Sequence, residues 1–215
     1  LHEYTEGKKE NQSVSFVEKI IRDSSFVNFI PKDILNKVST QIPNYDSHLA
    51  LLTKLTENIF DDLNSLDQSN ISLCHTNLKK SRILMRDGFV KFINFHYSDF
   101  LDPFFDIAFL LLNTGLSNSK TAQENFLREY LNFHENMDAS LESSLEKLEK
   151  YKNFCYRLAM LRLSSDFIFE LSLHGTKRSN RIIKIIKAYE YLRPYITKYH
   201  SEYLIHSDDF FYLIR

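Results

Sequence analysis

Apolar residues recur along most of this chain at the three- and four-residue steps of an α-helix, and the rhythm changes near the middle. Residues 13–29 carry Val14, Val17, Ile20, Ile21 and Val27 behind a serine able to cap, which predicts a helix. Pro31 opens a shorter one through Ile34, Leu35 and Val38. Between 47 and 66, Leu52, Leu55, Ile59, Leu63 and Leu66 form a steady stripe, the strongest helix signal of the first half. Asp102-Pro103 fits an N-cap followed by proline at the first helical position, where the missing amide proton costs nothing, and predicts a helix through Leu112. Residues 120–133 predict another, with Phe126, Leu127, Tyr130 and Leu131 inward. A long helical region follows over 141–175, marked by Leu141, Leu145, Leu148, Cys155, Leu158 and Leu171. Pairs such as Glu146 with Lys150 on its outer side read as a solvated face, each worth only ~0.2–0.5 kcal/mol.

In the middle, two β-type runs, Ile83 to Met85 and Phe89 to Ile93, are joined by Arg86-Asp87-Gly88. Asp-Gly between apolar runs is a strong hairpin signal, because both residues tolerate positive φ. The hairpin would set the polar loop at 74–80 beside a polar island at 94–98. The last segment alternates Lys and Arg with Ile182, Ile183, Ile185 and Ile186, breaks at Pro194, and then places Tyr195, Tyr199 and Tyr203 every four residues. The final DDFFYLIR is apolar for a terminus and is expected to dock on the body or meet a partner. With no internal repeat and no low-complexity linker, the pattern predicts one domain, mainly α with a small β-hairpin.

Composition narrows the chemistry. At 215 residues and 43% hydrophobic the chain can bury a single core. A formal net charge of −1 gives no electrostatic case for nucleic acid or a membrane surface. No apolar run approaches the ~20 residues of a membrane span, and no signal peptide is visible. Two cysteines, Cys74 and Cys155, make no disulfide framework and read as free buried thiols in a reducing, cytoplasmic setting. With four glycines, the chain has too few for a phosphate-binding Gly-rich loop. HExxH, CxxC and G-x-S-x-G are all absent, which removes the usual zinc and nucleophile-elbow readings.

The middle stretch runs Cys74, His75, Thr76, Asn77, Leu78, then Arg82, then the hairpin, then Ile93, Asn94, Phe95, His96, Tyr97, Ser98, then Asp102, Pro103, Asp106, Ile107, Ala108. In frame and spacing it resembles the catalytic segment of the aminoglycoside phosphotransferase and choline kinase superfamily, most closely its bacterial choline kinase-like branch. The family pattern is Cys-His-x-Asp-Leu, an Asn four residues on, a hairpin, Ile-Asp-[Trp/Phe]-Glu-Tyr-Ser, and Asp-Pro-x-x-Asp-Leu-Ala. Residues 1–7, LHEYTEG, similarly resemble the hinge that joins the two lobes in that family. The resemblance implies the C-terminal lobe of a protein kinase-like fold, with a hinge-like segment at 1–11 and the helical lobe at 12–215. The chain begins at Leu1 and not Met, which reads as a fragment or processed product, and if residues 1–7 are the hinge, the nucleotide-holding N-terminal lobe of that family is absent from these residues.

The resemblance also assigns roles. The family's first Asp accepts the substrate hydroxyl proton, and its Asn and second Asp hold the magnesium ions that bridge the nucleotide phosphates. Those places here are Asn77, Arg82 and Asn94, with His96 where Glu follows. An amide cannot act as general base, a loss of roughly 10²–10⁴ in rate. Arg82 sets a fixed positive charge where a hard cation needs oxygen ligands. His75 and Asp106, which the family uses to build and brace the loop, are kept. Lys79 and Arg82 read either as a surviving phosphate grip, Arg82 standing in for a metal ion, or as a solvated basic loop. The Tyr195, Tyr199, Tyr203 stripe reads either as an aromatic face for a small quaternary ammonium ligand or as half-buried core. The expectation is a pseudokinase lobe that works by binding a protein partner or small ligand, with no cofactor for this chain alone. The alternative is an active ATP- and magnesium-dependent phosphotransferase of the choline, ethanolamine or aminoglycoside type with unorthodox residues.

Overall fold

The computed structural model describes residues 45–66, 70–95, 98–133 and 140–174, with isolated positions at 36, 39–40 and between 180 and 197. The described chain is mainly helical with small antiparallel sheets. In order it runs α1 (Tyr45–Ser65), β1 (Ser72–Cys74), a 3-10 turn (Lys80–Arg82), β2 (Ile83–Arg86), β3 (Phe89–Phe92), β4 (Asp99–Leu101), α2 (Phe104–Thr114), a second 3-10 turn (Leu116–Asn118), α3 (Lys120–Phe133) and α4 (Leu141–His174). The helix expected at 13–29, all of that at 31–38 but residue 36, the hinge-like segment at 1–11, His96, the tyrosine stripe and the apolar terminus lie outside the described residues.

The chain divides into two compact units. The first comprises Leu1–Val17 and Asp62–Tyr156, the second Glu18–Asp61 and Arg157–Arg215. In the second unit, Leu55 and Ile59 of α1 are buried one helical turn apart, and α4 buries Leu158, Met160, Leu161 and Phe167.

Among the described residues, the first unit holds both sheets and every strand. β1 pairs antiparallel with β4, Ser72 opposite Leu101 and Cys74 opposite Asp99. β2 pairs antiparallel with β3, Ile83 opposite Phe92 and Arg86 opposite Phe89. The turn between them is the Asp-Gly turn expected from sequence, with φ of 52° at Asp87 and 79° at Gly88, the left-handed pair that matches the twist of a hairpin. The β1–β4 ladder carries the chain into α2, which begins as Asp102-Pro103 predicts. Asp102 Oδ1 accepts the Phe104 N–H at 2.9 Å.

Behind that start lies the core. Phe104, Phe105, Ile107, Ala108, Leu111 and Leu112 of α2 are buried. The Phe104 ring stands edge-on to Tyr130 of α3 at 6.1 Å and near Tyr151 of α4 at 6.2 Å. Phe105 meets Phe154 at 6.1 Å. Serines cap the next two helices, Ser119 Oγ accepting from the Ala122 N–H at 3.3 Å and Ser140 Oγ from the Ser143 N–H at 3.1 Å.

Two polar features of this unit were not foreseen. Lys147 of α4 reaches the buried Asp102 carboxylate at 2.6 Å, its ammonium 5.1 Å from the Phe104 ring centre. Lys152, also buried, donates to Gln123 Oε1 at 3.0 Å and Glu149 Oε2 at 2.7 Å. Gln123 Nε2 in turn donates to the Ser117 carbonyl at 2.7 Å, and Ser117 Oγ shares a hydrogen bond with the Tyr156 hydroxyl at 2.7 Å.

Candidate functional site

The site is built on the connection that leaves β1. Immediately after Cys74 the chain turns through His75 and Thr76, and Thr76 has a φ of 60°. A β-branched residue rarely enters that left-handed region, and such strain persists only where the surroundings fix it. Asp106, in the first turn of α2, does the fixing. Its Oδ2 accepts the His75 N–H at 2.5 Å and its Oδ1 the Thr76 N–H at 2.8 Å. Burial pushes the Asp106 carboxyl above its ordinary value, outweighing the two backbone donors and the His75 ring, which pull it down.

His75 fixes the other side of the turn. Its Nε2 lies 2.8 Å from the Ile93 carbonyl oxygen, so Nε2 carries the proton and donates. Its Nδ1 is then free to accept the Asn77 N–H at 3.3 Å. The ring tilts against Phe95, centre to centre 4.8 Å. Ile93 also donates its N–H to the Arg82 carbonyl at 3.0 Å. One residue at the end of the hairpin therefore holds His75 with its carbonyl and Arg82 with its amide, which brings the polar loop beside the polar island. Asn94 follows directly, exposed and with φ of 72°.

Asn77, Lys79 and Arg82 are half-buried. With the Asn77 amide turned so that its oxygen faces Arg82, that oxygen accepts from Nη1 at 3.1 Å and from Nη2 at 3.3 Å. Residues 77 and 82 are thus joined to each other. This donor set does not suit a magnesium ion. The Asn77 oxygen already faces the Arg82 guanidinium, which keeps its charge at any working pH, and Asn94 offers no carboxylate. Among the described residues no group of three or more His, Cys, Asp or Glu side chains gathers elsewhere. No helix among them is long and apolar enough to cross a membrane.

The structure therefore brings His75, Asn77, Arg82 and Asp106 together and sets Asn94 next to them, while Tyr195, Tyr199 and Tyr203 lie outside the described residues. Sequence reasoning passed over Thr76, whose strained backbone is the reason Asp106 needs both oxygens. Cys74 is buried and free, as its reading as a buried thiol expects, and its Sγ lies 3.3 Å from the Leu101 carbonyl in the β1–β4 ladder. Burial and the neighbouring Asp106 push the Cys74 thiol up to about 12, which leaves it inert at neutral pH. Comparison with family models and with curated proteins gives no match.

Proposed function

We propose that this chain is the C-terminal lobe of a protein kinase-like fold that has lost phosphoryl transfer and acts by binding, either a protein partner or a small retained ligand. One feature carries this reading, the Arg82 guanidinium set against the Asn77 amide, whose oxygen lies in its fork once the amide is turned. Phosphoryl transfer depends on positioning and on neutralising phosphate charge with metal ions. A fixed guanidinium in that place repels an incoming divalent cation by about 4 kcal/mol per unit charge at 4 Å for an effective dielectric of 20. The substituted positions leave the loop no general base and no carboxylate for a metal, and the chain alone is assigned no cofactor.

A second reading, an active phosphotransferase with unorthodox residues, is favoured by the intact brace of Asp106 on the His75 and Thr76 amides. A magnesium and ATP titration separates the two, with choline and ethanolamine phosphorylation assayed on the same samples. The binding reading expects ATP affinity weaker than about millimolar and no turnover in the chain or in Asn77→Asp alone. It expects the triple change Asn77→Asp, Arg82→Asn, Asn94→Asp to gain metal affinity before turnover, with Arg82→Asn contributing most. Ordinary turnover by Asn77→Asp alone would establish the second reading.

A further inference from the structure

The hairpin presents an unpartnered face with a pattern of its own. Ile83 and Met85 of β2 stand opposite Phe92 and Val90 of β3, and because side chains alternate across a strand these four share one face. Met85 is 78% exposed, Val90 51% and Phe92 47%. The other face pairs Leu84 with Lys91 and Arg86 with Phe89, so cations there interleave with apolar groups. Among the described residues the sheet has two strands, so each has an edge that no described strand pairs.

The turn dictates which backbone groups those edges offer. Residues flanking a two-residue turn exchange both hydrogen bonds, and bonded and non-bonded pairs then alternate along the ladder. The Ile93 N–H to the Arg82 carbonyl continues that alternation. Ile83 and Met85 on one edge, and Val90 and Phe92 on the other, therefore direct their N–H and C=O groups outward, the Ile83 N–H being taken by the Lys80 carbonyl. β3 is exposed along its whole length, whereas β2 begins half-buried, which makes β3 the more accessible edge.

We propose that the β3 edge receives an extended strand of another polypeptide in which apolar and acidic residues alternate. An added strand continues both faces of the sheet it joins. Its apolar side chains fall beside Val90 and Phe92, and its alternate side chains beside Lys91 and Phe89, with Arg86 one strand further in. Residues 79–92 carry Lys79, Lys80, Arg82, Arg86 and Lys91 against Asp87 alone, in a chain whose formal net charge is −1. The Arg86–Asp87 pair, at 3.4 Å and almost fully exposed, does little to offset that charge. A basic strand meets repulsion here, and a wholly apolar one leaves the cations desolvated without a partner. The proposal names a partner for the binding role above and rests on that role.

The test uses the full chain and a fluorescent peptide of about nine residues alternating Val and Glu, against one alternating Val and Lys. The Val/Glu peptide is expected to bind about tenfold tighter or better. Val90→Pro removes an outward N–H without touching the hairpin's own ladder and is expected to abolish binding, whereas Met85→Pro on the other edge leaves it unchanged. Arg86→Glu with Lys91→Glu, both on exposed side chains, is expected to reverse the preference, and it keeps the test decisive if a proline variant fails to fold. Equal affinity for the two peptides, no binding of either, or indifference to Val90→Pro overturns the proposal. So does binding to phosphatidylserine vesicles in place of peptide, or self-association that Val90→Pro abolishes. Turnover in the metal titration removes the binding role while the peptide result stands, and failure of the peptide removes only the strand.

Discussion

Two parts of the first unit, adjacent in sequence, are held together by opposite means. The turn at His75 and Thr76 is buried, and each of its two amides ends on an oxygen of Asp106. The hairpin just after it is exposed on both faces, and within the sheet its strands have only each other. One is tied by distant residues that satisfy groups water cannot reach, the other by a turn that satisfies itself. A segment of the first kind resists change because every loss strands a donor, whereas a segment of the second kind can vary its surface at little cost. The fold thus keeps its geometry in one place and leaves its chemistry free in the other.

Removing the brace tests that contrast most severely. Asp106→Ala leaves the His75 and Thr76 amides without acceptors and is expected to lower the stability of this unit by about 3 kcal/mol, with Asp106→Asn losing about half as much. Urea unfolding followed by amide exchange at those two residues reads the effect, and an alanine variant as stable as the parent would dissolve the distinction. Gly88→Ala probes the other side. An added Cβ meets nothing within 4 Å, so its cost is conformational alone, about 1 kcal/mol for a left-handed position. Exchange should quicken across β2 and β3 and stay unchanged at His75; equal loosening at both would make them one cooperative piece.

A smaller effect lies in pH. Because burial raises the Asp106 carboxyl in the fold, the native state binds more protons than the unfolded chain above the ordinary value of 3.8. Its contribution to stability is therefore present below that value and lost as pH rises through the folded one. Parent and Asp106→Asn, compared by urea midpoints across that range, should differ in slope in this sense; an opposite slope would mean that the backbone donors outweigh burial. Smallest of all is the chemical signal from Cys74. With its thiol pushed up to about 12, roughly one molecule in ten thousand is thiolate at pH 8. A disulfide reagent should leave it untouched until urea opens the loop, and prompt labelling of the native chain would show the buried turn to be open.

The sequence made the turn chemistry legible and the tertiary partners less so. Asp87-Gly88 announced the hairpin because few other pairs accept two positive φ angles, and Asp102-Pro103 announced α2 because proline is at ease where no helical amide is needed. The β1–β4 ladder was not visible, since three residues on each side, Ser72–Cys74 and Asp99–Leu101, are too short to show a period of two. Glu146 and Lys150 are exposed as their pattern suggested, but Lys147 and Lys152 on the same helix turn inward to Asp102 and Gln123. A one-dimensional pattern cannot distinguish a cation facing water from one facing a buried acceptor supplied from far along the chain. Likewise the Asn77 to Arg82 contact requires a loop conformation that spacing alone does not specify.

The buried ammonium of Lys152 bears on how α4 finds its rotational phase. A helix of 34 residues with apolar side chains at many positions could meet its neighbours equally well after a slip of one turn. Such a slip would carry Lys152 away from the Gln123 amide oxygen, leaving its ammonium with Glu149 of the same helix alone and a buried amide oxygen without its donor. Gln123 is itself pinned to the Ser117 carbonyl, so the acceptor cannot follow. The pair works as an indexing pin, indifferent to how tightly the helix packs but intolerant of the wrong notch.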